Sequence, residues 1–167
     1  YIAANKGVFW RTLDFMSFMI AAVLTGLFEK RPDVVAATSP QFFAAVGGWM
    51  LSVCRARPFV FELGDLWPAS IVAVGAMKGS LPLRMVEKLE LFLYRRSAAV
   101  AALTHAFKRN LVRRGIDPQK IRVVRNGVDV SRYGVRPRHA DLAKTHGLQD
   151  KFVVGYVGTH GMAHALD

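Results

Sequence analysis

Cysteine is nearly absent. Cys54 is the only one in 167 residues, which excludes an internal disulfide and a cysteine metal cluster and reads as a reducing, cytoplasmic setting. Acidic side chains are also scarce, with 12 Asp and Glu against 23 Lys and Arg, and the formal charge of +11 implies affinity for polyanions. Charge alone leaves nucleic acid, anionic lipid headgroups and phosphorylated small ligands open. The longest uncharged apolar segment, "FMSFMIAAVLTGLF" at residues 15–28, falls short of the roughly 20 residues that span a bilayer, and a buried helix is expected there. The opening "YIAANKGVFWRTLD" lacks the pattern of a signal peptide and has no initiating Met, so it reads as the start of an internal fragment. No "GxGxxG" opens a helix after a strand, and no helix-turn-helix, finger or single-strand-binding pattern occurs. These absences weigh against a nicotinamide-dependent dehydrogenase and a nucleic-acid module. Internal repeats and low-complexity tracts are missing as well.

What is present is a globular composition, 52% hydrophobic and 21% charged. Five apolar runs rich in β-branched residues end at turn formers: "DVVAATS" (33–39), "PFVFELG" (58–64), "AAVAALT" (98–104), "IRVVRNG" (121–127) and "FVVGYVG" (152–158). Each is expected to be a strand buried on both faces, because its hydrophobicity is continuous rather than alternating. Helical patterns at residues 10–28, 41–54, 81–96 and 105–114 lie among them. The alternation predicts an α/β fold, a Rossmann-like parallel sheet flanked by helices, with ligands beyond the carboxyl ends of the strands. A domain boundary is expected in the Gly-, Pro- and charge-rich segment after Asp129. That places a partial first domain at 1–130, a linker at 131–150 and the first strand and turn of a second domain at 151–167.

The strand ends supply the candidate site. Thr38 and Ser39 follow the first run, and Glu62, Asp65 and Trp67 sit in "ELGDLWP". Asp65 either accepts a proton from, or orients, a substrate hydroxyl, or it caps a helix starting near Trp67 and Pro68. Trp67 either stacks on a ligand or simply packs beside the proline. In "VRNGVDVSRY", Asn126 and Gly127 make a tight turn and Asp129 follows it, at a cleft or in solvent. Gly158, Thr159, His160 and Gly161 lie between a strand and a helix start, the arrangement that offers backbone N–H groups to phosphate or makes an ordinary turn. His160 and His164 are four apart, but no Glu follows the first in zincin fashion and no third ligand is evident, so no metal is expected. The stretch "LPLRMVEKLELFLYRRS" pairs helical apolar spacing with cations, suiting either an anionic membrane surface or a solvated face.

Taken in order, "RPDVVAATSP" (31–40), "PFVFELGDLWPASIVAVGA" (58–76), "KIRVVRNGVDVSRY" (120–133) and "FVVGYVGTHGMAHALD" (152–167) resemble the retaining glycosyltransferases of family 4, with closest similarity to the bacterial branch that builds lipopolysaccharide, capsule and exopolysaccharide. The resemblance covers about residue 10 to the end and implies the N-terminal half of a GT-B architecture, two facing Rossmann-like domains. It implies a nucleotide-sugar donor, held at Gly158, Thr159, His160 and Gly161. The acceptor would be a glycan or a polyprenyl-diphosphate-linked glycan, met at Thr38, Ser39, Glu62, Trp67, Asn126 and Asp129, with Asp65 as the catalytic candidate. It implies no obligatory cofactor or metal, no nucleic acid partner, and a cytoplasmic protein peripheral to the inner membrane face. Many relatives carry His just before the Asp in the matching loop; here Gly64 stands there, so a His-centred role does not carry over. Most of the donor domain would lie beyond Asp167, and the 167 residues alone are expected to be inactive.

Overall fold

The computed structural model of the protein describes residues 8–39, 41–66 and 81–158. Trp67, Thr159, His160 and Gly161, and the expected helix start near Trp67, lie outside the described residues. The chain divides into two compact units, Tyr1–Asn126 and Gly127–Asp167.

In the first unit the elements are α1 (Val8–Phe28), β1 (Val35–Ser39), α2 (Phe42–Cys54), β2 (Phe59–Leu63), α3 (Leu81–Arg96), β3 (Ala99–Ala102), α4 (His105–Arg113) and β4 (Ile121–Val123). The four strands form one sheet in the order β1-β2-β3-β4, and every pairing is parallel. The expected α/β, Rossmann-like architecture is therefore present.

Burial along the strands corrects one expectation. Val35, Phe59, Phe61, Leu63, Val100, Ala102 and Ile121 are buried, whereas the intervening Ala36, Thr38, Glu62 and Arg122 are exposed. One face carries the core and the other is open to solvent among the described residues. The reason is topological: spatial order follows chain order, so right-handed crossovers deliver successive helices to the same side. Phe42 and Ala45 of α2, Leu93 and Tyr94 of α3, and Leu111 of α4 close over that side. Tyr94 meets Phe61 edge to face, with ring centroids 4.8 Å apart.

The short apolar helix α2 lies directly on the sheet because its contact residue is Gly48. A Cβ there would approach Ala37 Cβ to 2.5 Å. On the other side, α1 packs against α2 through Met19 and Val23, which lie beside Gly47. The expectation of a buried helix at residues 15–28 fails here. The helix is longer, at 21 residues, and Phe9, Leu13, Met16, Ile20 and Leu24 lie exposed at intervals of three and four along one stripe. Only the opposite stripe has a neighbour among the described residues, which is why most of its apolar surface stays outside.

The second unit holds α5 (Ala140–Thr145), a helix the apolar pattern does not reveal. Arg138 closes its surroundings by donating to the carbonyls of Leu148, Gln149 and Lys151. The expected fifth strand at residues 152–158 is absent: residues 151–157 have no ladder, and Phe152, Val154 and Val157 are exposed. An apolar run becomes a strand only when a neighbour takes its N–H and C=O groups, and no strand is present among the described residues of this unit.

Candidate functional site

Parallel pairing brings the carboxyl ends of all four strands to one edge of the first unit. Leu103 N–H donates to Leu63 O at 3.3 Å and Val124 N–H to Ala102 O at 2.9 Å, so the ladder continues one residue past β3 and β4 toward that edge. Thr38, Ser39, Glu62, Asp65 and Asn126 all lie at or next to these ends.

The junction between β1 and β2 is the most constrained part. Ser39 is buried, and its hydroxyl donates to Asp65 O at 3.3 Å while accepting from Asp65 N–H at 3.4 Å. One side chain thus satisfies two backbone groups where the chain leaves the sheet. Gly64 permits the approach, since a Cβ on it would stand 2.8 Å from the Ser39 carbonyl oxygen. Any residue with a side chain, His included, is excluded here without a shift of β1, which gives a physical reason for glycine at this position. The Asp65 side chain is half-buried at this edge.

Thr38 and Glu62 are register partners, and both are exposed on the open face of the sheet one position before the strand ends. Thr38 Oγ1 donates to Ser39 O at 2.9 Å, so its hydroxyl proton is already engaged. At the next strand end, Thr104 caps α4 by accepting from Phe107 N–H at 3.1 Å, which leaves His105 exposed as the first helical residue. Asn126 is exposed after β4.

Asp129 and Gly158 belong to the second unit. Asp129 is fully exposed and its carboxylate works locally: Oδ1 accepts from Ser131 Oγ at 2.6 Å and from Ser131 N–H at 3.0 Å. These bonds hold its pKa below the usual carboxylate range, the Ser131 hydroxyl first. Gly158 is exposed and lies against Tyr156. Among the described residues, no three His, Cys, Asp or Glu side chains gather as metal ligands.

Sequence reasoning passed over a buried ionic cluster in the first unit. Glu90 of α3 accepts from Tyr94 Oη at 2.7 Å and from Arg114 Nη2 at 2.6 Å, and Arg114 also reaches the exposed Glu87 at 3.3 Å. Burial pushes the Glu90 carboxyl above its usual range despite the bonds from Tyr94 and Arg114. Burial and the neighbouring Glu90 likewise raise Tyr94. The i, i+4 spacing of Glu90 and Tyr94 was the available signal; the long step to Arg114 was not.

Comparison with known proteins gives one family: the family model described as Glycosyltransferase Family 4 matches residues 5–132. No curated protein matches the chain.

Proposed function

The chain belongs to Glycosyltransferase Family 4, and on that footing we propose that it takes part in moving a sugar from a nucleotide-sugar donor to a hydroxyl of a glycan or polyprenyl-diphosphate-linked acceptor, with retained anomeric configuration. The family match supports the glycosyl-transfer part of this reading, and the carboxyl edge of the sheet is where we locate it. Asp65 is the catalytic candidate: it stands where ligands of parallel sheets bind, and its backbone is held by Ser39. Its carboxylate orients the acceptor hydroxyl or takes its proton as the new glycosidic bond forms. Thr38, Ser39, Glu62 and Asn126 are assigned to the acceptor side, with Trp67 two residues after Asp65 in sequence, and Asp129 is an acceptor-side candidate through its place in the NGVD phrase alone. Gly158, Thr159, His160 and Gly161 open the donor side, where cations and a helix N-terminus stabilise the departing nucleotide diphosphate.

The pathway that fits is cell-surface polysaccharide assembly, at the cytoplasmic face of the inner membrane in a GT-B protein of two facing domains. The cations of α3 and the exposed apolar stripe of α1 support a peripheral membrane position. The net charge of +11 also suits nucleic acid, but family membership does not favour that partner.

The test is transfer itself. Labelled nucleotide sugars are offered to lipid-linked acceptors with a chain that includes the donor domain, and the product's anomeric configuration is read by NMR. Asp65→Asn is expected to lower turnover at least about 100-fold with donor affinity unchanged. Unchanged turnover would assign Asp65 to structure alone, and inverted product would remove the retaining reading.

A further inference from the structure

A concavity of the first unit lies at the edge opposite the strand ends described above. It has a volume of about 650 Å³, within the range of small-molecule sites. Its walls come from the last turns of α2 and α3 and from the amino ends of β2 and β3. Trp49 and Phe92 meet edge to face at 5.0 Å, and Phe59 completes an aromatic lining. Two cations, Arg57 and Arg96, share the site and no acidic side chain lines it.

Neither cation has a carboxylate partner among the described residues. Arg96 lies over the Phe92 ring, 5.5 Å from its centroid, so its position is set by an aromatic face. The Arg57 Nε is buried and has no hydrogen-bond partner. With no carboxylate beside it, the rest of the Arg57 guanidinium leaves its charge for an oxyanion in the pocket to balance. Backbone geometry fixes where Arg57 stands. Ala56 adopts a left-handed φ of 49°, and the chain reverses so that Arg57 N–H donates to Ser52 O at 2.8 Å.

We propose that this pocket binds a planar apolar molecule bearing an oxyanion, of the aryl phosphate class, with the ring against Trp49 and Phe92 and the oxyanion between Arg57 and Arg96. The site is independent of the transfer reading, because the length of β2 separates it from Asp65, roughly 13 Å for four residue steps.

Calorimetric titration of the full chain with 1-naphthyl phosphate tests the proposal. 1-Naphthol and inorganic phosphate are each expected to bind at least about tenfold more weakly, since each lacks one half of the recognised chemistry. Arg57→Gln and Arg96→Gln are each expected to weaken 1-naphthyl phosphate about tenfold with unchanged circular dichroism. Arg57→Lys, which keeps the charge but removes the planar guanidinium fork, is expected to recover only part of that loss. The proposal is overturned if 1-naphthyl phosphate binds no tighter than phosphate, or if Arg84→Gln on the exposed face of α3 weakens it as much as Arg57→Gln, which would mean diffuse charge alone. Flotation with phosphatidylglycerol vesicles gives a further control: flotation retained in both Gln variants beside lost naphthyl phosphate binding supports the aryl phosphate, and flotation lost in both overturns it in favour of a lipid headgroup, which has no ring.

Discussion

Gly64 sits between two strand ends that approach too closely for a Cβ, with the Ser39 carbonyl oxygen 2.8 Å from where one would be. Gly64→Ala is therefore expected to lower stability by about 1–3 kcal/mol in urea unfolding, because the close partner is backbone and must move. Ser39→Ala should cost about 1 kcal/mol, since it removes the hydroxyl that serves both Asp65 backbone groups. The sequence allowed Asp65 to be singled out through its place after an apolar run. Its dependence on Ser39 was hidden, because the two residues are brought together only by strand pairing.

Glu90 gives a second prediction at this scale. Its carboxyl is raised in the folded state, chiefly by burial, so the native protein holds the proton where the unfolded chain has released it. Stability from this group is full below the ordinary value of 4.5 and is lost as pH rises through the folded value. Glu90→Gln is expected to flatten that part of the stability profile, measured as urea midpoints across pH. Arg114→Met should instead cost about 3–5 kcal/mol near neutral pH, because it strands a buried carboxylate.

At the scale of elements, three helix ends share one geometry. After α2, α4 and α5 the chain turns through a left-handed residue, and the following N–H reaches back to the helix: Arg57 to Ser52 O, Ile116 to Leu111 O and Leu148 to Ala143 O. Gly115 and Gly147 take that conformation freely, but α2 uses Ala56. Ala56→Gly is expected to raise stability by about 0.5–1 kcal/mol, read as a higher urea midpoint, with the strain relieved exceeding the flexibility added to the unfolded chain.

The same elements show what the sequence carries. The four helices and the first three strands of the first unit fall within two residues of the limits read from apolar pattern and turn formers, because those patterns report local burial, whereas β4 ends at Val123, four residues before the end of its apolar run at 121–127. Residues 152–158 mislead for the complementary reason: apolar and β-branched composition states a preference for a sheet but does not supply the adjacent strand. The short helix α5 is missed because six residues offer too little periodicity. Its clearest marks are the caps, His139 before it and Gly147 after it.

At the scale of the molecule, the exposed stripe of α1 leaves much apolar surface uncovered among the described residues. Ile20→Gln together with Leu24→Gln is expected to leave the urea midpoint within about 0.5 kcal/mol of the parent, since both side chains are exposed. The same pair should reduce flotation with anionic vesicles; unchanged flotation would detach α1 from the proposed membrane contact. The parallel order, and hence the edge where strand ends meet, was legible because strand and helix patterns alternate. The pocket of Trp49, Arg57, Phe92 and Arg96 was not, because it joins the ends of two helices that the sequence keeps far apart.

Among the described strands, spatial neighbours in the sheet are consecutive along the chain. Along these four strands growth can therefore follow synthesis: β2, β3 and β4 each find a docking edge already laid down by the strand before. A ribosome-bound intermediate halted after β3 would already hold a three-stranded platform, ready to receive Ile121–Val123.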